Sequence, residues 1–158
     1  DNMKHEGLLH ILEARKKAGE DTKPVKKKYS KHVKTIFQVG NKQTEDFKTI
    51  LNYPIELVPI NNPYALKPND SLSMQLLIDG NPAPGVMVYA GYAGHKGKSK
   101  DGLLHDPFQV KTNSRGIATI KLSRSGHWYF RSVHVTKSKE PDADYISNTA
   151  SITFEIKN

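Results

Sequence analysis

Between Thr112 and Val135 the chain reads Thr-Asn-Ser-Arg-Gly-Ile-Ala-Thr-Ile-Lys-Leu-Ser-Arg-Ser-Gly-His-Trp-Tyr-Phe-Arg-Ser-Val-His-Val, and no other stretch narrows the choice of fold so far. Ala118, Ile120 and Leu122 alternate with polar residues, the two-residue period of a strand with one buried face. Asn113, Ser114 and Gly116 supply a turn before it, and Ser123 to Gly126 reverse the chain after it. From Trp128 to Val135 apolar side chains fall on both parities, as in a strand with covering layers on both faces. Two strands joined by a tight turn are therefore expected at the centre of a β-sandwich, with further elements on each face of the second.

The flanking sequence supplies those elements. Leu72, Met74, Leu76 and Ile78 alternate with Ser71, Ser73, Gln75 and Asp79, a half-buried antiparallel strand. Asp79-Gly80-Asn81-Pro82 turns it, and Val86, Val88 and Ala90 are expected to return as its hairpin partner. Strands are predicted near 55–59, 71–79, 85–91, 107–112, 116–122, 127–135 and 148–157, the last from Ala150, Ile152, Phe154 and Ile156. Upstream, residues 6–18 place Leu8, Leu9, Ile11 and Leu12 on one stripe and end in basic residues before Gly19, the pattern of a short helix. His5 and His10 lie beside that stripe and read as solvent-edge side chains. Residues 20–34 read as an exposed lysine-rich connector, and Val33 to Val39 as one extra strand.

The fold class expected is mainly β: an antiparallel immunoglobulin-like or transthyretin-like sandwich with a short N-terminal helix and an extra strand. A turn at Tyr53-Pro54 divides the chain into residues 1–52, read as the remnant of a preceding β-rich domain, and a sandwich over 53–158.

Charge and composition narrow the function classes. The net charge of +8 is uneven: residues 1–50 carry 12 basic and 7 acidic side chains. The aromatics keep core periodicity and are not interleaved with the lysines, so the basic surface reads as solvated and no nucleic-acid partner is expected. There is no cysteine, which excludes disulfides, thiol catalysis and thiolate metal sites. No stretch approaches the roughly 18 apolar residues of a membrane span. Gly-x-Ser-x-Gly, His-Glu-x-x-His, P-loop and Gly-x-Gly-x-x-Gly patterns are all missing, and the chain reads as a non-enzyme. Ser99 sits between Lys98 and Lys100 without a recognisable base, and Asn69-Asp70-Ser71, formally a glycosylation sequon, reads as a turn.

Residues 91–106, with four glycines and no periodicity, form a loop long enough to suggest a role. His95 and His105 share it with Asp101 and Asp106. Imidazole suits nickel, copper and zinc, and a site needs three or more convergent ligands, so His95, His105 and Asp106 are the candidate ligands of a divalent transition metal. His127 and His134 are seven residues apart, on opposite faces of one strand, and do not share an ion. His134 reads as a partly buried, hydrogen-bonded side chain. Arg131 is expected to pair with a carboxylate such as Glu56 or Asp79.

Taken together, Pro54-Ile55-Glu56-Leu57-Val58-Pro59, Asn62-Pro63-Tyr64, the run from Leu76 to Pro82, Thr112 to Gly116 and Gly126-His127-Trp128-Tyr129 resemble the bacterial NikM-like family, named after a component of nickel uptake systems. Tyr29 to Thr35 with Gln38-Val39-Gly40 resembles it too, so the likeness covers about residues 6–157. The turn and strand around Gly116 are also similar to transthyretin-like and collagen-adhesin B-type modules. The resemblance implies a secreted, periplasmic or surface-anchored protein with a signal peptide, a first β-rich domain and a second sandwich. This chain, opening at Asp1 without a signal peptide, reads as the latter part of such a protein. In transport-associated members a His near the mature N-terminus is thought to help hold the metal. No residue here matches it, so nickel binding is not carried over.

The expectation is a non-catalytic extracytoplasmic binding module serving uptake of nickel, cobalt or another small ligand. Its partner would be a membrane transporter component or a cell-surface protein. The alternative is a structural spacer or adhesion-type surface module with no ligand. A ligand site would gather polar side chains in the 91–106 loop and in the cleft between the sandwich and residues 1–50.

Overall fold

Alternating side chains and the turns between them build two facing β-sheets. A computed structural model describes residues 9–97 and 105–158. In chain order these hold helix α1 (Leu9–Lys17) and strands β1 (Lys27–Thr35), β2 (Ile55–Pro59), β3 (Ser71–Ile78), β4 (Asn81–Pro82), β5 (Met87–Tyr92), β6 (Phe108–Lys111), β7 (Ile117–Lys121), β8 (Gly126–Lys137) and β9 (Tyr145–Ile156). The larger sheet has the order β1-β9-β8-β5-β6. In the smaller, β3 is flanked by β2 on one side and by β7 and β4 on the other. Leaving β1 and the short β4 aside, three strands face four in the order of an immunoglobulin-like Greek key. His5, Leu8, Ser99 and Asp101 lie outside the described residues, as do the side chains of Leu9 and His10.

The core lies where the inward parities meet. Leu72, Met74 and Leu76 of β3 and Ala118 and Ile120 of β7 face Val88, Ala90, Phe130, Ile152 and Phe154 of the larger sheet, all buried. β8 is covered on both faces, as its two-sided apolar pattern requires. Trp128 and Phe130 enter the main core, while Val133 and Val135 form a second cluster with Ile11 of α1 and Tyr145.

Three connections differ from the sequence reading. β7 and β8 are no hairpin: β7 pairs with β3, and β8 with β5 and β9, so Leu122 to Ser125 carry the chain between sheets. The same happens after β3. Asp79 and Gly80 adopt φ of 48° and 76°, the left-handed pair of a tight turn, and the chain returns along β3 only for Asn81 and Pro82. Pro82 and Pro84 lack the N–H a longer ladder needs, and β5 crosses to the larger sheet.

The third difference is β1. The stretch read as an exposed connector is itself a strand, running parallel to β9 from Lys27 beside Tyr145 to Thr35 beside Thr153. It stops at Thr35, so Phe37 and Val39 lie beyond the strand expected at 33–39. The sequence-based division at residue 52 is thus crossed by a continuous hydrogen-bonded ladder.

Lys34 ties that ladder to the opposite sheet. Its Nζ lies 2.5 Å from Glu56 Oε1 of β2, with side chains only 12% and 1% exposed, and donates to the Thr49 carbonyl at 3.1 Å. Glu56 also accepts the Leu51 N–H at 2.7 Å. Removing one partner of such a pair strands a buried charge, which typically costs about 3–5 kcal/mol. Lys34→Met should therefore lower the unfolding free energy by about that amount in urea titrations. The double variant Lys34→Met, Glu56→Gln should regain most of it, because Gln keeps an acceptor for Leu51 and loses the charge.

Candidate functional site

Two polar constellations stand out on the larger sheet, and the first is built on the outward parity of β8. Tyr129 and Arg131 project there, with Gly91 and Tyr89 of β5 directly opposite. Gly91 is required by contact: a Cβ built on it would meet the Tyr129 hydroxyl at 2.5 Å. The bare backbone lets the Tyr129 ring lie across β5 towards the segment before β6. There its hydroxyl donates to Asp106 Oδ1 at 2.6 Å. Arg131 Nε donates to both oxygens of the same carboxylate, at 3.2 and 3.1 Å, and Nη2 adds a short bond to Oδ2. The guanidinium also lies 4.6 Å above the Tyr89 ring.

This arrangement fixes the protonation of its members. Burial pushes the Tyr129 phenol up strongly, and the hydrogen bond to Asp106 pushes it further. Burial raises the Tyr89 phenol as well. For Arg131 burial opposes the charge, but the bonds to Asp106 outweigh it and hold the group above its ordinary value. The four side chains form a clasp that fastens Asp106, just before β6, to the sheet.

The second constellation is a cleft at one end of the sandwich. Past β1 the Ile36 N–H still donates to the Thr153 carbonyl at 2.9 Å, and the Tyr64 hydroxyl donates to the Ile36 carbonyl at 2.9 Å. These two bonds fix Ile36 between β9 and Tyr64 as the chain leaves the ladder. Beside Ile36 lies a cleft of about 360 Å³ lined by Tyr64, Tyr92, Trp128 and Phe154, with His127 and Glu155 among its polar groups. His127 and Glu155 lie directly opposite each other across β8 and β9. A neighbouring hollow of about 390 Å³ is lined by Phe37, Val39, Phe47 and Asn62.

The aromatics of the cleft wall pack on one another. Trp128 packs at 5.2 Å from Tyr92 and 5.5 Å from Phe108, centroid to centroid, and its Nε1 donates to the Arg124 carbonyl at 3.0 Å. The Arg124 guanidinium covers the Tyr92 ring at 5.0 Å.

Of the residues singled out from sequence, His95 is half-buried and meets Tyr92 edge-on at 5.5 Å, while His105 is exposed. Asp106 has both carboxylate oxygens bonded within the clasp. Among the described residues no three His, Cys, Asp or Glu side chains are grouped to hold a metal ion. Arg131 pairs with Asp106, where Glu56 or Asp79 was expected; Glu56 is held by Lys34 and Asp79 sits in the turn after β3. His127 is exposed at the cleft, and His134 is half-buried on the parity of Trp128, opposite Asn148. Sequence reading did not find Tyr64, Tyr92 or Ile36 as cleft residues, nor Tyr129 as a partner of Asp106. No local spacing joins positions so far apart in the chain.

The molecule is thus an immunoglobulin-like β-sandwich with a lysine-bearing edge strand and an aromatic cleft at one end. Residues 3–136 match the family described as a domain of unknown function, DUF4198, and the chain belongs to that family. No curated protein matches it, and neither does any solved structure. Among the described residues no helix is long and apolar enough to cross a membrane.

The clasp yields a measurable titration. A phenol whose folded pKa is raised contributes stability that is complete below its ordinary value near 10 and is lost as pH rises through the folded value. Stability should therefore fall above about pH 10. In Asp106→Asn, Tyr129 loses its carboxylate neighbour and keeps Arg131. Its phenolate absorbance at 295 nm should then appear at lower pH than in the unaltered chain, and Tyr129→Phe should remove that component altogether.

Proposed function

We propose that the chain is a non-catalytic extracytoplasmic binding module that serves uptake of a small ligand, and that the ligand sits in the cleft between Ile36 and the Trp128 wall. The observation that carries this is the cleft itself. About 360 Å³ falls within the size of small-molecule sites, and aromatic walls with a few polar groups are their usual lining. The perturbed groups Tyr89, Tyr129 and Arg131 support a non-catalytic reading, because burial raises the two phenols and the bonds to Asp106 raise Tyr129 and Arg131, with no reacting group needed to explain the shifts. The NikM-like resemblance favours an extracytoplasmic location, a transporter component or surface protein as partner, and nickel or cobalt among the ligands to be tried.

Trp128 is the only tryptophan, so its emission reports on the cleft without labelling. Nickel and cobalt salts and a set of small polar metabolites, screened by thermal shift, should yield a ligand that raises Tm and changes Trp128 emission. His127→Ala, at an exposed position, should weaken that ligand at least tenfold and leave the Tm of the free chain unchanged. A ligand indifferent to His127→Ala but lost in the double variant His95→Ala, His105→Ala would move the site to the loop. No ligand from the screen would favour a spacer.

A further inference from the structure

β1 ends the larger sheet, and its pairing is one-sided. In a parallel ladder alternate residues bond to the neighbour. Here the Tyr145 N–H donates to the Lys26 carbonyl and the Ile36 N–H to the Thr153 carbonyl, so the even-numbered residues of β1 carry the ladder to β9. The backbone groups of Tyr29, Lys31 and Val33 accordingly turn to the outer edge. No described strand pairs with them there.

The side chains along this edge have an unusual mixture. Tyr29 and Val33 are 67% and 60% exposed, and Phe37 and Val39 beyond them 75% and 82%. From Thr22 to Thr44 the sequence has seven lysines and no carboxylate. Lys28 and Lys34 are paired, with Glu140 and Glu56. Lys31 is exposed between Tyr29 and Val33, and Lys23, Lys26 and Lys42 are exposed nearby. Past Val33 the edge opens on a groove of about 320 Å³ in which Val33 and Ile36 face Phe47 and Leu51.

Lysines on an edge strand oppose pairing with a like strand, since equal charges directly across a ladder repel. A second copy of β1 is thus disfavoured. By the same electrostatics a strand that brings carboxylates is selected.

We propose that the outer edge of β1 takes an extended acidic segment of a partner protein as a sixth strand. Its backbone would bond to Tyr29, Lys31 and Val33, its carboxylates would meet the lysines, and its apolar side chains would cover Tyr29 and Val33.

Residue-resolved amide exchange on the full chain tests this, with two probes: a short peptide of Glu, Val and Thr, and its counterpart with Lys for Glu. The acidic peptide should slow exchange at Tyr29, Lys31 and Val33 at least tenfold and leave Ser30 and His32, already bonded to β9, unchanged. The basic peptide should do neither, and raising the salt should weaken the acidic one. Lys31→Pro removes an N–H that faces the edge and not β9, so it should abolish binding with Ser30 and His32 still protected. Lys31→Glu, which leaves the backbone as it is, should weaken the acidic peptide at least tenfold. The proposal is overturned by equal binding of the two peptides, by no binding of the acidic one, or by binding that leaves the three edge amides unchanged. Tighter binding to phosphatidylglycerol vesicles than to the acidic peptide would also overturn it, and would make the strip a membrane-surface contact.

Discussion

Everything in this sandwich leans on β8, which is buried on both of its faces. Its inward residues Trp128 and Phe130 are at most 1% exposed and meet the smaller sheet. Its outward residues divide between two tasks: Val133 and Val135 receive the helix, and Tyr129 and Arg131 hold Asp106. A strand used on both sides has no face left with which to absorb a change, because buried side chains pack at near-crystalline density. The position of the cleft wall, the seat of the helix and the anchoring of Asp106 are therefore all set by one stretch of twelve residues.

How far the sequence could be read follows from where each constraint lies. β3 and the second half of β9 were legible because a half-buried strand writes its own period: Leu72, Met74 and Leu76 inward, Ser73 and Gln75 outward. The two-sided pattern of β8 was legible for the same reason. Connectivity was harder. The turn residues between Leu122 and Gly126 look alike whether the chain returns within one sheet or crosses to the other, and only the identity of the partner strand decides. β1 hid behind its lysines, since an edge strand bonded on one side needs no apolar face. Tyr129 and Asp106 are 23 residues apart and Arg131 and Asp106 25, so their meeting is a product of the β5-β8 register and not of any local motif.

The cleft shows how a small irregularity can create a site on a regular scaffold. Ile36 keeps one bond to β9, Tyr64 pins its carbonyl, and the chain then departs. The early end of β1, at odds with the apolar run to Val39, frees Ile36 and Phe37 to line the cleft with Tyr64 and Tyr92.

The parallel alignment of β1 with β9 has a mechanical meaning. Its nine register pairs run from Lys27 to Thr35, alongside the C-terminal strand of the described sandwich. Tension applied at Lys27 and at Ile156 in opposite directions would load that ladder lengthwise, so the backbone bonds would share the force instead of opening one after another. Joined in this way, the first and last strands form a shear-loaded seam, and extension would have to rupture the seam before it reached the core.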